Sequence, residues 1–146
     1  MASNLTHMTL TSSAQHGDYG RVQAFIEHAC TQAGCSDAQR LRVLLVIEEL
    51  FTNTVKYGRN AAPPVSVVIS LEAEGATGLT VQYEDNAPRY DPFGDSATDE
   101  DLTVSVGKRR VGGLGIVLVR ELGRHIQYAW SGGKNRVTFF VPLASS

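Results

Sequence analysis

The sequence is poor in the features that would assign its class directly. Only two cysteines, Cys30 and Cys35, occur in 146 residues. That is too few for a disulfide framework and, taken alone, for a zinc site. No apolar run is long and unbroken enough to span a bilayer. The opening Met-Ala-Ser-Asn-Leu-Thr lacks the charged-then-apolar pattern of a signal peptide. Positive charge is not in excess: 13 Lys and Arg against 15 Asp and Glu leave a net charge of −2, which removes any broad basic surface for following nucleic-acid phosphates. Internal repeats, low-complexity tracts and a domain-dividing linker are all missing, as is the Walker pattern Gly-x-x-x-x-Gly-Lys-Ser/Thr. What is present, 42% hydrophobic and 19% charged residues, suits one globular domain over residues 1–146 with a real core. A cytoplasmic, reducing location is expected, with no direct nucleic-acid or membrane contact.

Leu5 to Thr11 carries Leu, Met and Leu among threonines and reads as a strand. Val22, Phe25, Ile26, Ala29 and Cys30 recur at helical spacing over residues 19–31, with Gly34 as a stop. Ser36 followed three places later by Gln39 forms a capping box, opening a second helix that ends near Tyr57 and Gly58. The β-branched run Val65 to Leu71 and the stretch Leu79 to Tyr83 read as paired strands, with Gly75 and Gly78 at the turn. Residues 85–111 lack periodicity over a length that points to a functional loop. A third helix follows from Gly113 to Leu122. Two last strands, near Ile126–Trp130 and Val137–Val141, flank Ser131-Gly132-Gly133-Lys134-Asn135. Hairpin-linked strands and segregated helices predict an α+β fold. Its architecture is a two-layer sandwich, with a mostly antiparallel mixed sheet covered on one face by three helices.

Three elements carry chemistry. On the second helix, Val43, Leu44, Ile47, Leu50, Phe51 and Val55 gather on one face, and Glu49, Asn53 and Lys56 line the stripe opposite. That stripe is either a solvated charged face or a site in which Asn53 offers a carbonyl oxygen to Mg²⁺ while Glu49 stays free to accept a proton. Val111-Gly112-Gly113-Leu114-Gly115-Ile116 opens the third helix. Such glycines cost up to about 1 kcal/mol each in a helix interior, but let backbone N–H groups approach an anion at a helix N-terminus. Lys108, Arg109 and Arg110 precede them; alternatively, the glycines permit close packing on the sheet. Asp85 ends a strand before Asn86-Ala87-Pro88, where it either caps its own turn or accepts a hydrogen bond from an exocyclic amine.

Taken in order, Glu48-Glu49-Leu50-Phe51-Thr52-Asn53-Thr54-Val55-Lys56-Tyr57, Asp85-Asn86-Ala87-Pro88-Arg89-Tyr90-Asp91-Pro92 and Gly112-Gly113-Leu114-Gly115-Ile116 resemble the asparagine box and two glycine boxes of the GHKL (Bergerat-fold) ATPases. The nearest likeness is to the anti-sigma-factor serine/threonine kinases of partner-switching pathways. Asn135-Arg136-Val137-Thr138 is similar to that family's last strand. The resemblance implies that Glu49 is the general base, Asn53 the Mg²⁺ ligand and Asp85 the partner of the adenine amino group. Lys56, Ala87, Arg110, Gly112, Gly113, Leu114 and Gly115 are implied as further ATP contacts, and residues 93–111 as the ATP lid. The chain departs from the family at Ala87, where glycine is usual. The same resemblance implies a STAS-domain anti-anti-sigma factor as phosphorylation substrate, a sigma factor as sequestered partner and a homodimer. Two other roles fit the same residues: a non-catalytic nucleotide-dependent binding module, and a histidine-kinase-like ATPase domain working with a separate histidine-bearing protein.

Overall fold

The computed structural model describes residues 7–59, 61, 63–74, 78–90 and 124–142. Strand β1 (His7–Ser13) leads through a 3₁₀ turn, His16–Asp18, into helix α1 (Tyr19–Ala33), which Gly34 caps. Helix α2 (Asp37–Tyr57) follows at once. Strands β2 (Ser66–Glu74), β3 (Gly78–Asp85), β4 (Arg124–Ser131) and β5 (Lys134–Pro142) complete a sheet of order β1-β2-β3-β5-β4. The mixed sheet expected from the sequence is antiparallel in every described pairing. The predicted third helix, the lid over 93–111 and most of the turn after β2 lie outside the described residues.

Local chemistry explains the borders. At the start of α2 the Ser36 hydroxyl accepts from the Gln39 backbone N–H at 3.1 Å, and the Gln39 side-chain oxygen accepts from the Ser36 N–H at 2.7 Å. Two otherwise orphaned donors are thereby satisfied. The Gln39 amide also donates to the Pro142 carbonyl at 2.7 Å, fastening the start of α2 to the end of β5. Gly58 ends α2 with φ −93°, so its role is space: a Cβ there would lie 2.5 Å from Val65 Cγ2. The β4–β5 hairpin turns through Gly132 and Gly133 at φ 60° and 77°, the left-handed pair that a two-residue turn matched to strand twist requires.

Alternation along the strands builds the core. Val67, Ile69 and Leu71 of β2, Leu79 and Val81 of β3, and Val137, Phe139 and Val141 of β5 are buried in one apolar cluster with Val22 and Ile26 of α1 and Val43, Ile47, Leu50 and Phe51 of α2. The buried stripe of α2 is wider than the sequence pattern indicated. Val46, Asn53 and Thr54 are buried as well, because α1 and the sheet cover this helix from two directions. Asn53, expected on a stripe opposite the apolar face, is therefore an interior residue at 7% exposure. Glu49 is half-buried, and Lys56 alone of the three is exposed.

Candidate functional site

The last turns of α2 and the ends of β3 and β5 meet at one end of the sandwich. Glu49 and Asn53 lie one helical turn apart, and the Asn53 amide donates to Glu49 Oε2 at 3.2 Å. Burial pushes the Glu49 carboxyl up to about 7; the Asn53 hydrogen bond and the Lys56 charge oppose that rise, and the neighbouring Glu48 charge adds to it. The side chain therefore changes protonation near neutrality. The Asn53 side-chain nitrogen is turned to Glu49, and its Oδ1 accepts no hydrogen bond among the described residues. A buried carbonyl-type oxygen without a donor suits a hard cation. No cluster of three His, Cys, Asp or Glu side chains with metal-binding geometry occurs among the described residues.

Asp85 closes β3 directly opposite Asn135 of β5. Its Oδ1 accepts from Asn135 Nδ2 at 2.9 Å and from the Ala87 N–H at 3.1 Å. Its Oδ2 accepts from the Thr54 hydroxyl at 2.6 Å. That hydroxyl is also 2.6 Å from the Tyr83 phenol and 3.0 Å from the Leu50 carbonyl. Asn135 is itself a hub. Its amide nitrogen also reaches the carbonyls of Ala87 and Pro88 at 3.2 and 3.1 Å, and its oxygen accepts from Tyr128 Oη at 2.6 Å and the Tyr90 N–H at 2.9 Å. These bonds hold the segment from Asp85 to Tyr90 against the start of β5.

Together these groups wall a cavity of about 350 Å³, its open mouth included, lined by Leu50, Asn53, Thr54, Tyr57, Tyr83, Asp85, Ala87, Tyr90, Tyr128, Asn135 and Val137. Tyr57 and Tyr90 stack at its edge with ring centroids 4.1 Å apart. A mostly apolar and aromatic lining with a few convergent polar groups is the usual make-up of a small-molecule site.

Of the residues expected from the sequence, the fold brings Asn53, Asp85 and Ala87 to this cavity and sets Glu49 beside Asn53. Lys56 stays outside the lining, with its ammonium 5.3 Å from the Tyr57 ring centroid. Arg110, Gly112, Gly113, Leu114 and Gly115 lie outside the described residues. Thr54, Tyr83, Asn135 and the three further tyrosines went unrecognised as site residues. Their one sequence signal was position: Thr54 follows Asn53, and Asn135 is the second residue of the final strand.

The histidine kinase-like ATPase domain model matches residues 12–141, almost the whole chain. The chain belongs to this family of GHKL-type ATPase domains. No curated protein matches it at a significant level. Solved structures share the family fold. One holds the RsbU and RsbW domains of Rv1364c from Mycobacterium tuberculosis, with a TM-score of 0.63 and 14% identity, covering 99% of this chain and 34% of that one. Another is the histidine kinase domain of a blue-light activated histidine kinase from Erythrobacter litoralis, with a TM-score of 0.54 and 19% identity, covering 90% and 65%. The chain thus spans about a third of the first structure and just under two thirds of the second.

Proposed function

We propose that this domain binds Mg-ATP in the cavity and transfers the γ-phosphoryl group to a serine or threonine hydroxyl of a protein partner. The observation that carries the proposal is the pairing of a fixed carboxylate, Asp85, on the cavity wall with the Glu49–Asn53 pair one short step along α2. Asp85 accepts from the amino group of the base. Asn53 holds the metal through Oδ1. When bound, Mg²⁺ supplies neutralisation of phosphate charge, which together with positioning is most of what phosphoryl transfer needs. Glu49, half-buried and titrating near 7, takes the proton of the attacking hydroxyl. A module that merely binds nucleotide needs no such base, and this favours transfer over sequestration alone. The roles of Arg110 and of Gly112 to Gly115 at the phosphates rest on the sequence.

The partners follow from the resemblance of the three boxes to anti-sigma-factor kinases: a STAS-domain anti-anti-sigma factor as substrate, a sigma factor held in alternation with it, and a second copy of the chain. The fold likeness to a structure that includes an RsbW domain agrees with this reading. No described helix is long and apolar enough to cross a membrane.

The test is incubation of the purified chain with γ-labelled ATP and a STAS protein. Acid-stable, alkali-labile label on the partner is expected. Acid-labile label would point instead to histidine transfer, and no label to a binding module. Glu49→Ala should keep nucleotide affinity and lose transfer; transfer at the parent rate would remove Glu49 from the mechanism.

A further inference from the structure

We propose that Thr54, backed by Tyr83, is a positioning residue that aims the Asp85 carboxylate and thereby sets the preference of the cavity for 6-amino over 6-oxo purines. The inference rests on the nucleotide reading above and goes beyond it to residues without an assigned role.

The argument is a count of donors and lone pairs. A carboxylate is an acceptor with about four lone-pair positions. Three of those on Asp85 are taken: two at Oδ1 by Asn135 and the Ala87 N–H, one at Oδ2 by Thr54. The remaining position belongs to Oδ2, on a residue that lines the cavity and is only 7% exposed. Which way the Thr54 proton points decides whether that oxygen is held. Thr54 has a single proton and three acceptors in range, Asp85 Oδ2 and the Tyr83 phenol oxygen at 2.6 Å each and the Leu50 carbonyl at 3.0 Å. Hydroxyls inside helices commonly bond back to the preceding turn, which would leave Oδ2 loose.

Tyr83 biases this choice. Its phenol is fully buried, and burial holds its pKa well above the ordinary value. It therefore keeps its proton, and the Thr54 oxygen at 2.6 Å is the acceptor within its reach; either oxygen can donate in that contact, and the relay takes the phenol as the donor. With that oxygen acting as acceptor from one side, the Thr54 proton runs to the charged acceptor, which forms the stronger bond. The relay Tyr83 to Thr54 to Asp85 thus has one direction. It leaves a single acceptor position open, which is complementary to an amino N–H. A 6-oxo group would bring a carbonyl oxygen against the same carboxylate. Sites built around a buried polar partner reject analogues that cannot satisfy it far more strongly than apolar pockets reject a change of shape.

The test uses the full chain and calorimetric titration with ATP, GTP and ITP, the last differing from ATP in its 6-oxo group and the N1–H that comes with it. The parent should prefer ATP to ITP by at least about tenfold. Thr54→Val, which keeps shape and removes the hydroxyl, should lose about tenfold in ATP affinity with little change for ITP, so that the ratio collapses. Thr54→Ser should retain the ratio, and Tyr83→Phe should lower it with the Thr54 hydroxyl still in place. Equal losses for ATP and ITP in Thr54→Val, or an unchanged ratio in a variant with a normal thermal transition, would overturn the inference and leave the nucleotide reading standing. A parent that binds none of the three would sink both.

Discussion

Glu49 illustrates how one side chain ties site chemistry to stability. Its carboxyl is raised from 4.5 to about 7, chiefly by burial, so between those pH values the folded chain holds a proton that the unfolded chain has released. Stability therefore falls as pH rises from about 4.5 to about 7, and levels off above. Glu49→Gln has no proton to lose. Its melting temperature relative to the parent should climb across that same interval, as thermal scans at several pH values would show; a constant difference would mean that Glu49 titrates normally. The sequence conveyed that Glu49 and Asn53 share a helical turn. It did not convey that Asn53 is interior, because the apolar pattern of α2 records only where hydrophobic side chains are. The second covering surface is supplied by another element.

At the scale of elements, the most legible signals were those whose physics is confined to a few neighbouring residues. Ser36 and Gln39 close their capping box as expected, Gly34 caps α1, and the Gly132-Gly133 pair turns the last hairpin. Each depends on backbone groups within three or four positions. Replacing Ser36 by Ala should cost about 1 kcal/mol, the usual value of an N-cap, measured by urea denaturation at unchanged m-value. Strand ends were less legible. β1 runs to Ser13, two residues past the Thr11 that the sequence suggested, because its limit is set by pairing with Ser66–Glu72 of β2 and hardly at all by its own composition. The same cause hid Thr54, Tyr83 and Asn135. They meet Asp85 only after β3 has docked beneath α2 and paired with β5, contacts that no local window contains.

At the scale of the molecule, Asn135 is a residue on which several separate pieces converge. It binds Asp85, the carbonyls of Ala87 and Pro88, the Tyr90 N–H and the Tyr128 hydroxyl. Truncation to Ala would strand several buried polar groups at once, each carrying a desolvation penalty. Asn135→Ala should therefore lose about 2–3 kcal/mol of unfolding free energy. Nucleotide affinity should fall as well, because Asp85 loses a donor; intact stability in denaturant titration would contradict this account.

The register that sets Asp85 against Asn135 joins positions 50 residues apart in the chain. It also fixes an order of events during synthesis, since domains are made from the N-terminus onwards. A ribosome that has released β1, both helices, β2 and β3 has delivered a carboxylate whose cage is still unmade. Until β5 emerges and slides between β3 and β4, a cellular pool of ligand cannot trap the nascent chain in its native form. Rescue by mass action becomes available late in translation, which leaves the half-made sheet dependent on its apolar contacts and on chaperones.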